Sequence, residues 1–138
     1  MADGFYPPPC RHTSNSRPLH ATAVGKALLS GLTADRLQAT LMTEGLRPFT
    51  GRTIVLPRLL RQQLDAVRTD GVSMSHEEWR TGVCGVAAPV LISGEVVAAV
   101  GVVGSSTHLR AQQQRAPVRR AAVGLGKALE RARGIAAA

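Results

Sequence analysis

The chain has 138 residues, a formal net charge of +8 and 44% apolar residues, with aromatics at only 3%. That length suits one domain with a real core and is short for two, and the apolar content excludes a wholly disordered chain. No apolar stretch reaches the ~18 uninterrupted residues that a membrane span needs. The positive charge does not read as a nucleic-acid footprint, because all but two of the 17 basic residues are Arg, the longest basic run is Arg119-Arg120, and no aromatics are interleaved for base stacking.

Met1–Arg17 carries Pro7-Pro8-Pro9 and Ser14-Asn15-Ser16, too little apolar surface to order itself, so residues 1–16 are expected to be a flexible arm. It has no basic-then-apolar leader pattern. Cys10 lies in this arm and Cys84 in an apolar run, so a bridge between them is not expected, and the pattern fits a reducing cytoplasm.

A helix is predicted over His20–Leu32, with Thr22 as its N-cap, Ala27, Leu28, Leu29 and Leu32 as its apolar stripe, and Gly31 as its end. Ala21, Ala23 and Gly25 make its start small. Small residues there let orphan backbone N–H groups approach an anion or carbonyl, or else let the helix pack close to a strand. Thr33 caps a second helix, Ala34–Thr43, with Leu37 and Leu41 inward and Gly45 as the stop. A loop with Pro48, Phe49 and Gly51 follows. A third helix begins at Pro57, where a missing N–H is harmless, and places Leu56, Leu59, Leu60, Leu64 and Val67 on one face. Gly71 closes it.

Val72–Met74 is a short strand candidate. Ser75 and Glu78 have capping-box spacing, so a tight turn is expected there, with Glu77 and Glu78 structural rather than catalytic. The centre of the chain is Gly82–Gly104. Its apolar runs Val83–Ile92 and Val96–Val103 flank Ser93-Gly94-Glu95, the pattern of a β-hairpin. Neither run alternates apolar with polar, so both faces of each strand should be covered. From Leu109 to about Arg133 the chain reads as helix containing Pro117, with Val118, Ala122, Leu125, Leu129 and Ala132 as its stripe.

Enzymatic chemistry is poorly supplied. The four His residues do not meet each other or Cys at metal-ligand spacings, no Ser sits in a nucleophile elbow, and the hairpin glycines do not form a phosphate loop. Cys84 with His20 or His76 is the one conceivable nucleophile set, and a buried inert thiol is the simpler reading.

Three blocks, PLHATAVGKALLSGL (Pro18–Leu32), SHEEWRTGVCGVAAPV (Ser75–Val90) and GEVVAAVGVVG (Gly94–Gly104), resemble the effector-binding domain of the IclR family of bacterial transcription regulators. The PFTxxT segment Pro48–Thr53 and the leucine-rich helix between the blocks fit as well. The resemblance runs from about Arg17 to Arg133, giving a domain over residues 17–134 and a tail over 135–138. It implies an α+β, GAF-like domain, an antiparallel sheet flanked by helices, with no cofactor and no enzymatic activity. It also implies a small, often carboxylate-bearing effector, assembly into homo-oligomers, and DNA contact only through a winged helix absent from this chain.

The effector residues implied are Ala23, Val24 and Gly25 at the helix start, Leu46 in the following loop, Ser75 before the Glu pair, and Gly85, Gly101 and Val103 on the hairpin strands. Where relatives carry a Cys, Ser or Asp at such places, this chain carries Gly85, Gly101, Val103 and Ser75. Lost hydrogen-bond partners weaken binding of a small hydrophilic acid and enlarge the cavity, which points to a bulkier or aromatic carboxylate. The family's strands upstream of the first helix have only the Pro-rich arm in their place, so an unpaired sheet edge favouring self-association is expected. The alternative is a truncated, ligandless oligomerisation module that modulates intact regulators.

Overall fold

The computed structural model describes residues 18–134; the arm expected over 1–16, Cys10 and the tail over 135–138 lie outside them. Its elements run α1 (Ala23–Leu29), α2 (Ala34–Glu44), α3 (Pro57–Asp70), β1 (Ser73–His76), β2 (Val83–Ile92), β3 (Glu95–Ser105) and α4 (Ala111–Ala132). The three strands form one antiparallel sheet in the order β1-β2-β3. This is the α+β architecture expected from the sequence.

The hairpin β2–β3 is the spine. Its turn is two residues, Ser93 and Gly94, both at positive φ (51° and 81°), and Glu95 already pairs with Ile92 as the first residue of β3. A turn with two positive φ values matches the right-handed twist of the strands it joins. Pro89 stands inside β2, the central strand. Val83 accepts from the Glu77 N–H on the β1 side, and Pro89 shares that alternation, but the β1 ladder stops at Ser73↔Ala87. The proline's missing donor therefore falls where no neighbouring strand needs it.

Both faces of the hairpin are covered, as the unbroken apolar runs require. On one face Val86, Ala88, Val90 and Ala98 pack with Val118 and Ala122 of α4. On the other, Ala87 and Ala99 meet Ala23, Val24 and Ala27 of α1. A third cluster joins Leu29 of α1 to Leu37 of α2 and to Leu60 and Leu64 of α3.

Four expectations need correction. Helix α1 ends at Leu29 with Ser30 as its C-cap, not at Gly31; the chain turns so that Leu32 joins the third cluster, and a Cβ at Gly31 would lie 2.4 Å from Val96. Ser75 does not cap a turn, because β1 pairs it with Gly85. Leu56 and Leu59 are exposed, since α3 is only three buried residues wide: Leu60, Leu64 and Val67. Leu125 is exposed too. The seam of α4 runs through Val118, Ala122 and Gly126, and the last lets the helix approach the Leu91 carbonyl, which a Cβ would meet at 2.6 Å.

Gly124 and Gly126 share a helix but not an environment, since a Cβ at Gly124 meets nothing within 4 Å. Gly124→Ala is expected to raise stability by about 0.5–1 kcal/mol through helix propensity. Gly126→Ala is expected to lower it by about 1–3 kcal/mol, because the backbone of β2 must give way. Urea midpoints of the two variants check this.

Candidate functional site

The start of α1 lies almost directly on the sheet. Thr22 caps it, its Oγ1 accepting from the Gly25 N–H at 3.1 Å and donating to the Pro18 carbonyl at 2.9 Å. Gly25 is obligatory: a Cβ there would sit 2.2 Å from the Leu19 carbonyl oxygen. From beneath, Ser73 Oγ donates to the Ala23 carbonyl and Ser75 Oγ to the Ala21 carbonyl, at 2.5 and 2.8 Å. Two serines two residues apart on β1 thus hold two carbonyls two residues apart at the helix tip.

Under that tip the sheet carries a glycine, which lets the helix come close. Gly85 has no side chain, and a Cβ built on it would be 3.4 Å from Ala23 Cβ and 3.5 Å from Val103 Cγ2. The result is a small hollow of about 30 Å³ between Ala21–Val24, Ser75, Trp79, Val83–Gly85 and Val103. Its hydroxyls are already engaged as donors within the protein. The Cys84 thiol, pushed up from its usual pKa by burial, lies 3.9 Å from the Ser105 carbonyl.

Of the residues singled out in the sequence, Ala23, Val24, Ser75, Gly85 and Val103 meet around this hollow. The other three do not. Gly25 packs against Leu19, Gly101 packs against Ala87, and Leu46 belongs to the leucine cluster of the first three helices. Trp79 is the wall residue that motif reasoning passed over.

Lys26 was passed over as well. It is 1% exposed, and its Nζ donates to Glu78 Oε1 (2.6 Å), Gln63 Oε1 (2.7 Å) and the Met74 carbonyl (3.0 Å), so all three ammonium protons are used. Burial pulls the Lys26 pKa down and the Glu78 carboxylate opposes that. The other Glu78 oxygen accepts from the His76 N–H at 3.1 Å. Its lone Lys inside an otherwise apolar helix was the available signal: such a cation must find a partner.

The loop after β1 is tied at several points. Glu77 sits at positive φ (51°), its N–H donates to the Val83 carbonyl, and its carboxylate accepts from the Gly82 N–H at 2.8 Å. That N–H holds the Glu77 pKa below the usual carboxylate value. Thr50 and Thr53 donate to the Glu77 and Glu78 carbonyls. His20 does not approach Cys84 as a catalytic partner would: its Nε2 faces the Arg47 carbonyl at 2.8 Å and its ring lies 5.8 Å from Phe49. Burial lowers its pKa. Among the described residues no group of His, Cys, Asp and Glu could hold a metal, and no helix is long and apolar enough to cross a membrane. A second and larger groove of about 270 Å³ lies between α2, Pro18–His20 and the Arg47–Phe49 loop, away from the sheet.

The family whose model matches residues 10–126 is described as the C-terminal part of the bacterial transcriptional regulator IclR. The chain belongs to the IclR C-terminal family. It is 39% identical over 101 residues to the HTH-type transcriptional repressor AllR of Klebsiella pneumoniae, an alignment covering 72% of this chain and 37% of that repressor. The chain therefore spans little more than a third of the length of such relatives. Among solved structures it is similar to the inducer binding domain of a double mutant of PobR from Acinetobacter, in complex with 3-hydroxybenzoic acid. That match has 30% identity and a TM-score of 0.75, and it covers 88% of this chain and 76% of that one. It is also similar to the C-terminal domain of Escherichia coli KdgR, with 31% identity and a TM-score of 0.69 over 76% of this chain and 66% of that one. These IclR-family relatives are transcriptional regulators, not enzymes.

Removing one partner of the buried pair strands the other. Lys26→Met is expected to cost about 3–5 kcal/mol, and Lys26→Met combined with Glu78→Leu is expected to recover more than half of that. A double-mutant cycle by urea denaturation measures both.

Proposed function

We propose that this domain senses a small-molecule effector, bound in the hollow between the tip of α1 and the hairpin, for a cytoplasmic transcription regulator. The observation that carries this is that Ala23, Val24, Ser75, Gly85 and Val103 meet around one hollow beside Trp79, between the helix tip and the hairpin.

The ligand class follows from what the walls offer. The Thr22 and Ser75 hydroxyls are committed to backbone carbonyls, so a small acid that needs several side-chain donors is poorly served. The remaining surface is apolar, which suits an aromatic or otherwise bulky carboxylate. Likeness to an inducer binding domain solved with 3-hydroxybenzoic acid supports the same class.

Effector occupancy would be read out through assembly. Among the described residues β3, an 11-residue strand, is paired on one side only. An apolar strand edge of that length favours pairing with a second chain. Operator contact would come from a winged helix outside this domain.

A thermal-shift series tests the pocket. Benzoate and 3-hydroxybenzoate are expected to raise the melting temperature in a concentration-dependent way, and pyruvate to leave it unchanged. Val103→Trp, at an exposed position on the mouth, should abolish the shift while the unliganded melting temperature stays within a few degrees. A shift with pyruvate alone contradicts the assignment of ligand class. A ligandless module would give no shift with any of the three.

A further inference from the structure

Resting on the pocket reading above, we propose that the Ser75 hydroxyl is the latch of the site and sets its affinity. The effector enters by displacing Ser75 Oγ from the Ala21 carbonyl, and the tip of α1 lifts to admit it. The hollow as it stands has about 30 Å³, room for a water or two. A cavity that holds a benzene ring measures roughly 150 Å³, so an aromatic carboxylate needs one of the walls to move.

The register of the sheet says which wall. Ser75, Gly85 and Val103 stand opposite one another across the three strands and form one row beneath the tip. The floor of the hollow cannot give. Its strand, β2, is the central one, bonded on both sides, and Val86, Ala88 and Val90 are fully buried against α4 on the other face. Helix α1 cannot lift as a whole either. Lys26 holds its middle through three hydrogen bonds, and Ala23 and Ala27 pack on Ala87 and Ala99. What remains is the chain just before the helix, Ala21 and Thr22, which roofs the hollow.

That roof is tied to the sheet by one side chain. Ser75 Oγ donates to the Ala21 carbonyl at 2.8 Å, and both residues line the hollow, so this bond joins two of its walls. The Ser73 bond to the Ala23 carbonyl lies further along the helix and outside the hollow, where it serves as the pivot. The His20 bond runs to the exposed Arg47 rather than to the sheet. A site held shut binds with its affinity reduced by the fraction of molecules that are open. One hydrogen bond shifts that fraction about threefold to tenfold, enough to hold the site closed and little enough for a ligand to overcome. Ser75 is thus a positioning residue, acting on the effector through the helix tip.

The full chain is titrated with 3-hydroxybenzoate by calorimetry, and each variant's melting temperature is recorded without ligand. Ser75→Ala is expected to melt lower than the unaltered chain and yet to bind about threefold to tenfold tighter. Thr33→Ala, which removes the N-cap of α2 away from the hollow, is expected to melt lower with unchanged affinity. Should Ser75→Ala fail to fold, Ser75→Cys, close in size but a weak donor, carries the test in the same direction.

Binding that Val103→Trp blocks, with Ser75→Ala equal to the unaltered chain or weaker, overturns the latch and leaves the pocket standing; weaker binding is what a direct contact between Ser75 and the effector gives. Equal tightening in Thr33→Ala and Ser75→Ala also overturns the latch, because general loosening then accounts for the gain. Binding that Val103→Trp does not block, or no binding by the unaltered chain and the Ser75 variants alike, overturns the pocket and this inference together.

Discussion

One buried ammonium sets the geometry of this domain. Lys26 could not be left in an apolar interior without partners, because desolvating a lone charge outweighs anything its methylenes gain by burial. The fold surrounds it with Glu78, Gln63 and the Met74 carbonyl, which come from the loop after β1, from α3 and from β1 itself. Three stretches distant in sequence, around Lys26, Gln63 and Met74–Glu78, are therefore brought to one point. Ion pairs of this kind add little net stability over an apolar replacement of the same shape, but an arrangement that leaves either charge buried and unpaired is costly. Here the arrangement selected is α1 lying flat on the sheet with its first turn over Gly85.

The small residues are the counterpart of that constraint. Gly25 lets the preceding chain cross at contact distance, Ala23, Ala27, Ala87 and Ala99 let helix and sheet approach, and Ser73 and Ser75 pin the carbonyls of the helix tip. Where the small residues continue past the helix, at Gly85, the space left is about one methyl wide, with Ala23 and Val103 beside it. The hollow thus arises from the same close approach that builds the core, and Trp79 stands at its side because its neighbours are bound to Lys26 and the threonine loop.

Much of this was legible in the sequence because local rules and the tertiary fold agree. The unbroken apolar runs from Val83 onward specified a hairpin covered on both faces, Thr22 and Thr33 cap as their residue type suggests, and Gly71 ends α3 in the left-handed conformation its position requires. The misreadings have a common physical source. Ser75 and Glu78 satisfied a local spacing rule, but β2 claimed the backbone of Ser75 and Lys26 claimed the carboxylate of Glu78. Leu125 satisfied a helical period, but the close approach at Gly126 turned another line of α4 toward the sheet. Gly101 and Leu46 were assigned to the site by resemblance, and cross-strand packing and the leucine cluster hold them elsewhere. Partners distant in sequence decided each of these, and no window of neighbouring residues contains them.

Chemical-shift mapping tests the central claim most directly, that the pinned helix tip and the hairpin strands at Gly85 and Val103 enclose a working ligand site. On adding 3-hydroxybenzoate to the 15N-labelled chain, the backbone amides of Ala23, Val24, Ser75, Gly85 and Val103 and the Trp79 indole should move together and saturate with one affinity. Saturable movement confined to the groove around Thr40–Phe49, with the Ala23 and Gly85 amides unchanged, would contradict it.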